Sequence, residues 1–300
     1  MAATTAAIAA SYLPGAFADG EDRKLGWALV GLGNLSQHEI LPALTKTKSA
    51  RLAGLVSGHP DKAATLAAKY SLDPKHIYNY ENFESIKDDT DVDVIYIVLP
   101  NGMHMEYVER AAKIGKQVFC EKPMANTAAD CQKMIDACKA AKVMLGIGYR
   151  MQYEPHLIEV KRLVKAGAIG KITKVQSEFG FNIPAGVWRL DKKLAGGGPL
   201  MDVGIYCLNS TRFALGEEPV EVSATIPPSD DPRFKEVEPS MDFTLKFPSG
   251  IVAECKTAYD HFAGNRLRIE GEKGSIHMEP AFSYGGLMLG VKYGDDRPKT

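Results

Sequence analysis

The stretch Trp27-Ala28-Leu29-Val30-Gly31-Leu32-Gly33-Asn34-Leu35-Ser36 constrains this chain more than any other. An apolar run leads into two glycines one residue apart, and a helical pattern follows. Read as a buried strand, a tight turn and a helix, the first glycine permits the turn. The second removes a side chain where a pyrophosphate would approach the backbone. Unpaired N–H groups at the start of the helix then face that anion. The last small position of such a fingerprint is usually Gly or Ala; here it is Ser36, small enough for close helix–strand packing. The motif carries little weight alone. Its place near the N-terminus, the clean apolar run before it, and a second apolar strand starting at Arg51, about twenty residues later, mark it as a dinucleotide site.

The rest of the first half fits that reading. Apolar runs fall at 27–30, 51–56, 92–99, 117–120 and 143–147, with helical patterns between them at 37–44, 61–70, 104–114 and 127–141. Asp61 and Thr127 read as helix N-caps, and Thr127 with Asp130 has capping-box spacing. Continuous apolar strands separated by helices imply a parallel sheet covered on both faces, with ligand at the carboxyl ends of its strands. After residue 150 the pattern changes. Helices are expected at 154–166 and 200–215, and the remainder alternates polar with apolar. Pro248-Ser249-Gly250 and Gly271-Glu272-Lys273-Gly274 look like hairpin turns. The expected fold is thus an α/β Rossmann domain over 26–150, followed over 151–300 by an α+β domain with an open, mostly antiparallel sheet. Its two helices are expected to bridge to the first domain. A length of 300 residues suits two such domains.

Composition removes other classes of function. Lys plus Arg number 36 against 37 Asp plus Glu, with no basic block, so neither nucleic acid nor an anionic membrane surface is an expected partner. No run is long and apolar enough to span a bilayer. Cys120, Cys131, Cys138, Cys207 and Cys255 match no metal or disulfide framework and read as reduced, buried thiols. The histidines are scattered, so no metal site is expected. Residues 1–25 admit two readings. Ala16-Phe17-Ala18 has the form of a secretory cleavage site, which would place the protein in the periplasm. With no positively charged start, it would be a trimmed export signal; the alternative is a flexible arm of a cytoplasmic protein, any helix broken by Pro14 and Gly15, packed on a neighbouring subunit.

Two clusters carry the chemistry. The strand at 117–120 ends in Glu121-Lys122-Pro123. A lysine there points into the cofactor crevice and can hydrogen-bond a substrate hydroxyl and stabilise negative charge on it; the alternative is an exposed lysine before a turn proline. The second cluster is Gly196-Gly197-Gly198-Pro199-Leu200-Met201-Asp202-Val203-Gly204-Ile205-Tyr206. Pro199 suits a first helical turn, and Asp202 and Tyr206 lie four apart on one helix face. A carboxylate beside a phenol suits proton transfer from an alcohol, provided a cation such as Lys122 lowers the phenol's usual pKa near 10. The same spacing also fits an amphipathic helix with Tyr206 in the core and Asp202 as a cap. For the cofactor, the second strand ends without the usual acidic residue. Asp61 comes too late, and Ser57, His59 and Lys62 can donate to a 2′-phosphate, so NADP is expected.

Gly31-Leu32-Gly33, Glu121-Lys122-Pro123, Gly148-Tyr149-Arg150 and the 197–206 cluster resemble the glucose–fructose oxidoreductase, inositol dehydrogenase and rhizopine catabolism family. Glu21-Asp22-Arg23-Lys24-Leu25-Gly26, Val56-Ser57-Gly58, Trp188-Arg189-Leu190 and Leu215-Gly216-Glu217-Glu218-Pro219 extend the likeness, in order, to most of the chain. The resemblance implies a Rossmann domain followed by an open-sheet domain. It also implies that Lys122 contacts substrate and nicotinamide. Most members have a histidine four residues after the helix aspartate. Tyr206 holds that place here, as in the sugar–sugar oxidoreductase branch, and becomes the acid/base, with Asp202 beside it on the substrate hydroxyls. Cofactor contacts are expected from Gly31, Gly33, Asn34, Leu35, Ser57, Gly58, His59, Lys62, Pro100, Asn101, His104, Glu121, Lys122, Arg150, Trp188 and Arg189. Substrate contacts are expected from Lys122, Tyr149, Arg150, Asp202, Tyr206 and Tyr259. The implied activity is oxidation of an aldose at C1 to a lactone by NADP, with the hydride passed to a second sugar while the cofactor stays bound. The alternatives are a conventional NADP-dependent aldose dehydrogenase and a non-catalytic dinucleotide-binding sensor. Family members carry a further C-terminal strand and helix, so a second domain incomplete at its C-terminus is expected. Apolar alternation at 241–247 and 251–258, with enough for two faces in part, points to a dimer or a tetramer of dimers.

Overall fold

The computed structural model describes residues 23–294, so the arm or signal expected over 1–25 lies almost wholly outside the described residues. A first sheet holds β1 (Leu25–Val30), β2 (Ala50–Val56), β3 (Ile77–Tyr78), β4 (Val94–Ile97), β5 (Gln117–Cys120) and β6 (Leu145–Ile147). They run parallel in the order β3-β2-β1-β4-β5-β6. Between them come α1 (Leu41–Leu44), α2 (Pro60–Lys69), α3 (His104–Lys113) and α4 (Ala128–Ala141). The apolar runs are continuous because both faces are covered: Ala28, Val30, Ile95 and Ile97 point into one core, and Leu29, Leu55 and Tyr96 into the other. The order reverses direction between β1 and β4, and a crevice opens there beyond the strands' carboxyl ends.

Local expectations needed adjusting. Two-residue β3 was missed, being too short to show a period. The run at 92–99 is paired as β4 only over Val94–Ile97, and its last residues turn toward the crevice. The run at 143–147 is paired only from Leu145, because α4 ends at Lys142 in the left-handed conformation, φ 58°. Thr127 does cap α4, accepting from Asp130 N at 3.1 Å while its hydroxyl donates to the Asp130 carboxylate at 2.8 Å. Asp61 is not a cap. His59 holds that place with no side-chain bond, Pro60 opens the helix, and Asp61 sits inside the first turn, where its charge still suits the helix dipole.

The second half contains α5 (Pro155–Lys165), β7 (Ile172–Gly180), α6 (Lys192–Ala195), α7 (Ile205–Leu215), β8 (Glu221–Thr225), β9 (Ser240–Lys246), β10 (Val252–Ala258), β11 (Gly264–Gly271), β12 (Gly274–Met278) and β13 (Leu289–Tyr293). The seven strands lie in the order β13-β12-β11-β7-β10-β9-β8. All pairs are antiparallel except β7 with β10. Leu157, Val160 and Cys207 of α5 and α7 pack on Val175, Phe243, Leu245, Ala253 and Ile269 of the sheet. These helices belong to the second core, and the start of the 200–215 segment also bridges to the first domain, as expected: Asp202 bonds Lys122 and the Tyr206 ring packs against it. Further bridges come from the segment before it: Asn101 Nδ2 donates to Ala195 O at 2.8 Å, and Asn126 Nδ2 to Lys193 O at 3.1 Å.

The opposite face of the sheet is not apolar, contrary to the expectation from 241–247 and 251–258. Register aligns Asp242, Lys256, Glu178 and Arg266 across four strands, alternating in sign. Arg266 pairs with Glu178 at 2.8 Å, and Lys256 with Asp242 at 3.6 Å. The apolar alternation on β9 and β10 serves the helix-covered face alone.

Candidate active site

The glycine turn is built as its sequence implies. Gly31 has φ 90°, and a Cβ there would lie 2.4 Å from the Val98 carbonyl, so both conformation and space demand glycine. A Cβ on Gly33 would meet nothing within 4 Å. That open backbone, followed by a helix start, fits a pyrophosphate. Ser36 is fully buried, and its hydroxyl donates to Gly31 O at 2.5 Å. The third small residue thus also ties the helix to the turn. The helix begins as a wide π turn, Ser36–Ile40, before α1.

From this turn a cleft of about 670 Å³ runs between the two domains. At one end it is lined by Gly31, Gly33, Asn34, Leu35, Ser57, His59 and Lys62, in the middle by Pro100, Asn101 and Glu121, and at the other end by Lys122, Arg150, Trp188, Arg189, Asp202 and Tyr206. No carboxylate from the end of β2 lines it: Asp61 is absent from the lining, and Ser57 uses its oxygen to accept from His59 N at 3.0 Å.

Four expected residues lie off the cleft. Gly58 faces Tyr80, whose ring a Cβ would meet at 3.1 Å. His104 is fully buried, its ring nitrogens 2.9 Å from the carbonyls of Pro123 and Leu99, and it braces the loops behind the cleft. Burial lowers its pKa, while the two carbonyls pull the other way by favouring the protonated ring. Tyr149 lines only a small space of about 10 Å³ behind Lys122 and Tyr206. Tyr259 is fully buried beneath Asp202.

At the far end the side chains converge on Asp202. Lys122 Nζ donates to Asp202 Oδ1 at 2.9 Å and to its backbone carbonyl at 2.7 Å. Arg189 Nε lies 2.8 Å from Asp202 Oδ2, and the Tyr259 hydroxyl donates to the same oxygen at 2.7 Å. Burial would raise the Asp202 pKa, but Lys122, Arg189 and the Tyr259 hydrogen bond outweigh it and hold the carboxylate well below its usual range. Burial pulls Lys122 down, and the Asp202 charge more than reverses this, so the ammonium is retained. Asp202 therefore anchors two cations, and Oδ1, bonded only by Lys122, keeps an acceptor site. Of the three N–H donors on Lys122, one remains for a ligand.

Tyr206 lies beside this knot. The segment at 200–215 is not one α-helix: it opens with a π turn, Leu200–Gly204, before α7. Asp202 and Tyr206 still reach the cleft together. The Tyr206 ring packs edge-on against Phe179 at 5.5 Å, with Lys122 Nζ 4.9 Å from the ring centroid. Arg150 Nε donates to the Tyr206 hydroxyl at 3.4 Å. Arg150 also donates to the Phe282 carbonyl and lies over the Tyr284 ring at 4.4 Å. At the root of the site Tyr96 donates to Glu121 Oε1 at 2.5 Å, and burial raises the Glu121 pKa.

Sequence reasoning missed Phe179, Phe181, Phe282 and Tyr284, which give the far end its aromatic walls. Phe179 within β7 and Phe181 just past its end keep its period-two alternation and were findable. The latter two stand in an irregular connection between β12 and β13 that has no period to read.

The first domain, residues 25–149, matches the oxidoreductase family with an NAD-binding Rossmann fold, and residues 157–277 match the GFO/IDH/MocA C-terminal domain. The chain belongs to the GFO/IDH/MocA oxidoreductase family. Among its relatives, it is similar to D-xylose 1-dehydrogenase [NADP(+)] of Haloarcula marismortui, with 34% identity over 267 residues, 87% of this chain and 74% of that one. It also resembles inositol 2-dehydrogenase of Rhizobium meliloti, with 27% identity over 84% of this chain and 75% of that one. Among solved structures, aldose–aldose oxidoreductase from Caulobacter crescentus, complexed with glycerol, superposes with a TM-score of 0.87 and 45% identity over 92% of this chain and 85% of that one. Membership in the GFO/IDH/MocA family accounts for the two-sheet plan and for a dinucleotide turn facing a second domain. Among the described residues no helix is long and apolar enough to cross a membrane.

Proposed function

We propose that this protein is an NADP-dependent sugar oxidoreductase that oxidises an aldose at C1 to a lactone and passes the reducing equivalents to a second sugar without releasing its cofactor. The observation that carries the reading is the charged Lys122, clamped on Asp202 with one donor to spare and packed against Tyr206, at the opposite end of the cleft from the glycine turn. The likeness to an aldose–aldose oxidoreductase and to NADP-dependent xylose dehydrogenases supports sugars as substrates.

The glycine turn and the N–H groups after it would hold the pyrophosphate, and Ser57, His59 and Lys62 a 2′-phosphate. Bound NADP supplies the hydride acceptor. The remaining chemistry belongs to the chain. Lys122 donates to the reacting sugar oxygen and stabilises the negative charge it develops. Tyr206 takes the hydroxyl proton and later returns one to the second sugar. Arg150 holds the Tyr206 hydroxyl in place. Phe179, Phe282 and Tyr284 offer apolar faces to the sugar ring and keep water away. As an assembly we propose a dimer or a tetramer of dimers, joined through the open sheet face with its alternating charges.

A second reading, favoured by the xylose dehydrogenases, is a conventional NADP-dependent aldose dehydrogenase that exchanges its cofactor each turnover. Denaturing the purified protein and measuring released nicotinamide separates the two. Stoichiometric NADP, reduced by one aldose and reoxidised by another in an aldose screen, is expected. Protein that purifies empty and reduces only added NADP favours the second reading. Tight NADP binding with no oxidation of any aldose would sink both and leave a sensor.

A further inference from the structure

Tyr259 follows the last residue of β10 and has no exposed surface. It sits in an apolar cluster with Ile183 and Val203, bordered by Phe181, Val187 and Leu190, and its ring centroid is 5.4 Å from that of Phe181. A phenylalanine would fill that space equally well. A buried hydroxyl lowers stability unless it finds a partner, and this one has Asp202 Oδ2 at 2.7 Å. The backbone is pinned on both sides: Tyr259 N donates to Pro239 O at 2.7 Å, and Ile183 N donates to Tyr259 O at 2.8 Å. An immobile donor is thus aimed at one oxygen of the carboxylate whose other oxygen binds Lys122.

We propose that Tyr259, which never meets substrate, is a positioning residue: its hydroxyl fixes the rotation of the Asp202 carboxylate and, through it, the place of Lys122 at the reacting sugar. This rests on the reading that Lys122 acts on that sugar. A carboxylate is free to turn about its last bond. With Oδ2 held by Tyr259 and Arg189, Oδ1 has a single direction, toward Lys122. Arg189 alone is a weaker guide. It is held by a stack on Trp188 at 4.7 Å in a turn at the cleft wall, whereas Tyr259 is held by the core. Burial, followed by the neighbouring Asp202 charge, raises the Tyr259 pKa far above its ordinary value, so it remains a donor at any working pH.

The test is a double-mutant cycle on the full chain, with D-xylose and D-glucose as probes, NADP present in excess, and lactone formation as the signal. Tyr259→Phe is expected to lower kcat by about ten- to hundredfold, the effect of losing one hydrogen bond to a charged group. KM and the NADP dissociation constant should stay within about twofold. In an Asp202→Asn background the same change should cost less than about twofold more, because its route to Lys122 is already broken. Near wild-type turnover by Tyr259→Phe would overturn the proposal, and so would effects that multiply fully with Asp202→Asn. A parallel Lys122→Met variant locates a failure. If it still turns over, the catalytic reading falls and takes the proposal with it. If it is inactive while Tyr259→Phe is unimpaired, only the role of Tyr259 falls.

Discussion

The two ends of the cleft are built on different principles. The pyrophosphate part of the proposed cofactor end is made of backbone: Gly31, Gly33 and the helix start lie within a few residues of one another, and only the lack of side chains shapes them. The chemical end is made of side chains from four places. Lys122 comes from the end of β5, Arg150 from just past β6, Asp202 and Tyr206 from the helix before and in α7, and Tyr259 from the end of β10. A backbone site tolerates no bulk but needs no particular chemistry. A side-chain knot tolerates bulk around it but depends on each charge having its partner. Substitutions at the two ends should therefore fail differently, in affinity at one and in rate at the other.

The largest expected effect tests that division at the chemical end. Lys122→Met should lower kcat by about two to four powers of ten, the usual size for a group acting on the proton and charge of the reacting centre. NADP affinity, followed by fluorescence titration, should move little; a parallel collapse of affinity would erase the distinction between the two ends. Next in size is Gly33→Val at the cofactor end. The side chain has room in the free protein but occupies the cradle, so NADP binding by calorimetry should weaken by about ten- to hundredfold, as when charge-assisted backbone hydrogen bonds are lost, with the melting temperature unchanged.

How legible each end was follows from the same difference. The glycine turn could be read because its parts are contiguous and each glycine has one local reason to be there. The strands around it were legible as continuous apolar runs, since both faces of a parallel sheet are covered. Lys122 was legible from its place at a strand end. Asp202 and Tyr206 were not: their spacing fits an idle amphipathic helix as well as an active site, and only the family resemblance chose between them. Tyr259 was assigned to the substrate because no local pattern tells a buried tyrosine from one in a cleft. The apolar alternation of β9 and β10 was read as serving two faces in part, because alternation shows that one face is buried without saying what the other faces. The register that lines up Asp242, Lys256, Glu178 and Arg266 runs through β7, far in sequence from the β10 and β11 it pairs with.

Smaller effects sharpen the picture at the cofactor end. Lys62→Ala should weaken NADP about tenfold through loss of one charge-assisted contact to the 2′-phosphate, and leave NAD, which lacks that phosphate, unaffected. Equal losses for both cofactors would show that Lys62 contacts something they share. Ser36→Ala removes the hydrogen bond to Gly31 O without opening much space. It should lower unfolding free energy by about 1 kcal/mol in urea titration and leave turnover intact; a large loss of turnover would mean that the turn's position, not only its openness, is tuned.

The account's central claim is that Tyr206 is the proton carrier of the chemical end, and the most direct measurement is single-turnover reduction of NADP by Tyr206→Phe. The ring's contacts with Phe179 and Phe282 survive that change, and only the hydroxyl goes. Fold and NADP affinity should therefore match the parent, while the rate falls by about two to four powers of ten. A Tyr206→Phe protein that reduces its cofactor at nearly the parent rate would contradict the claim and leave Lys122 beside a tyrosine that merely packs.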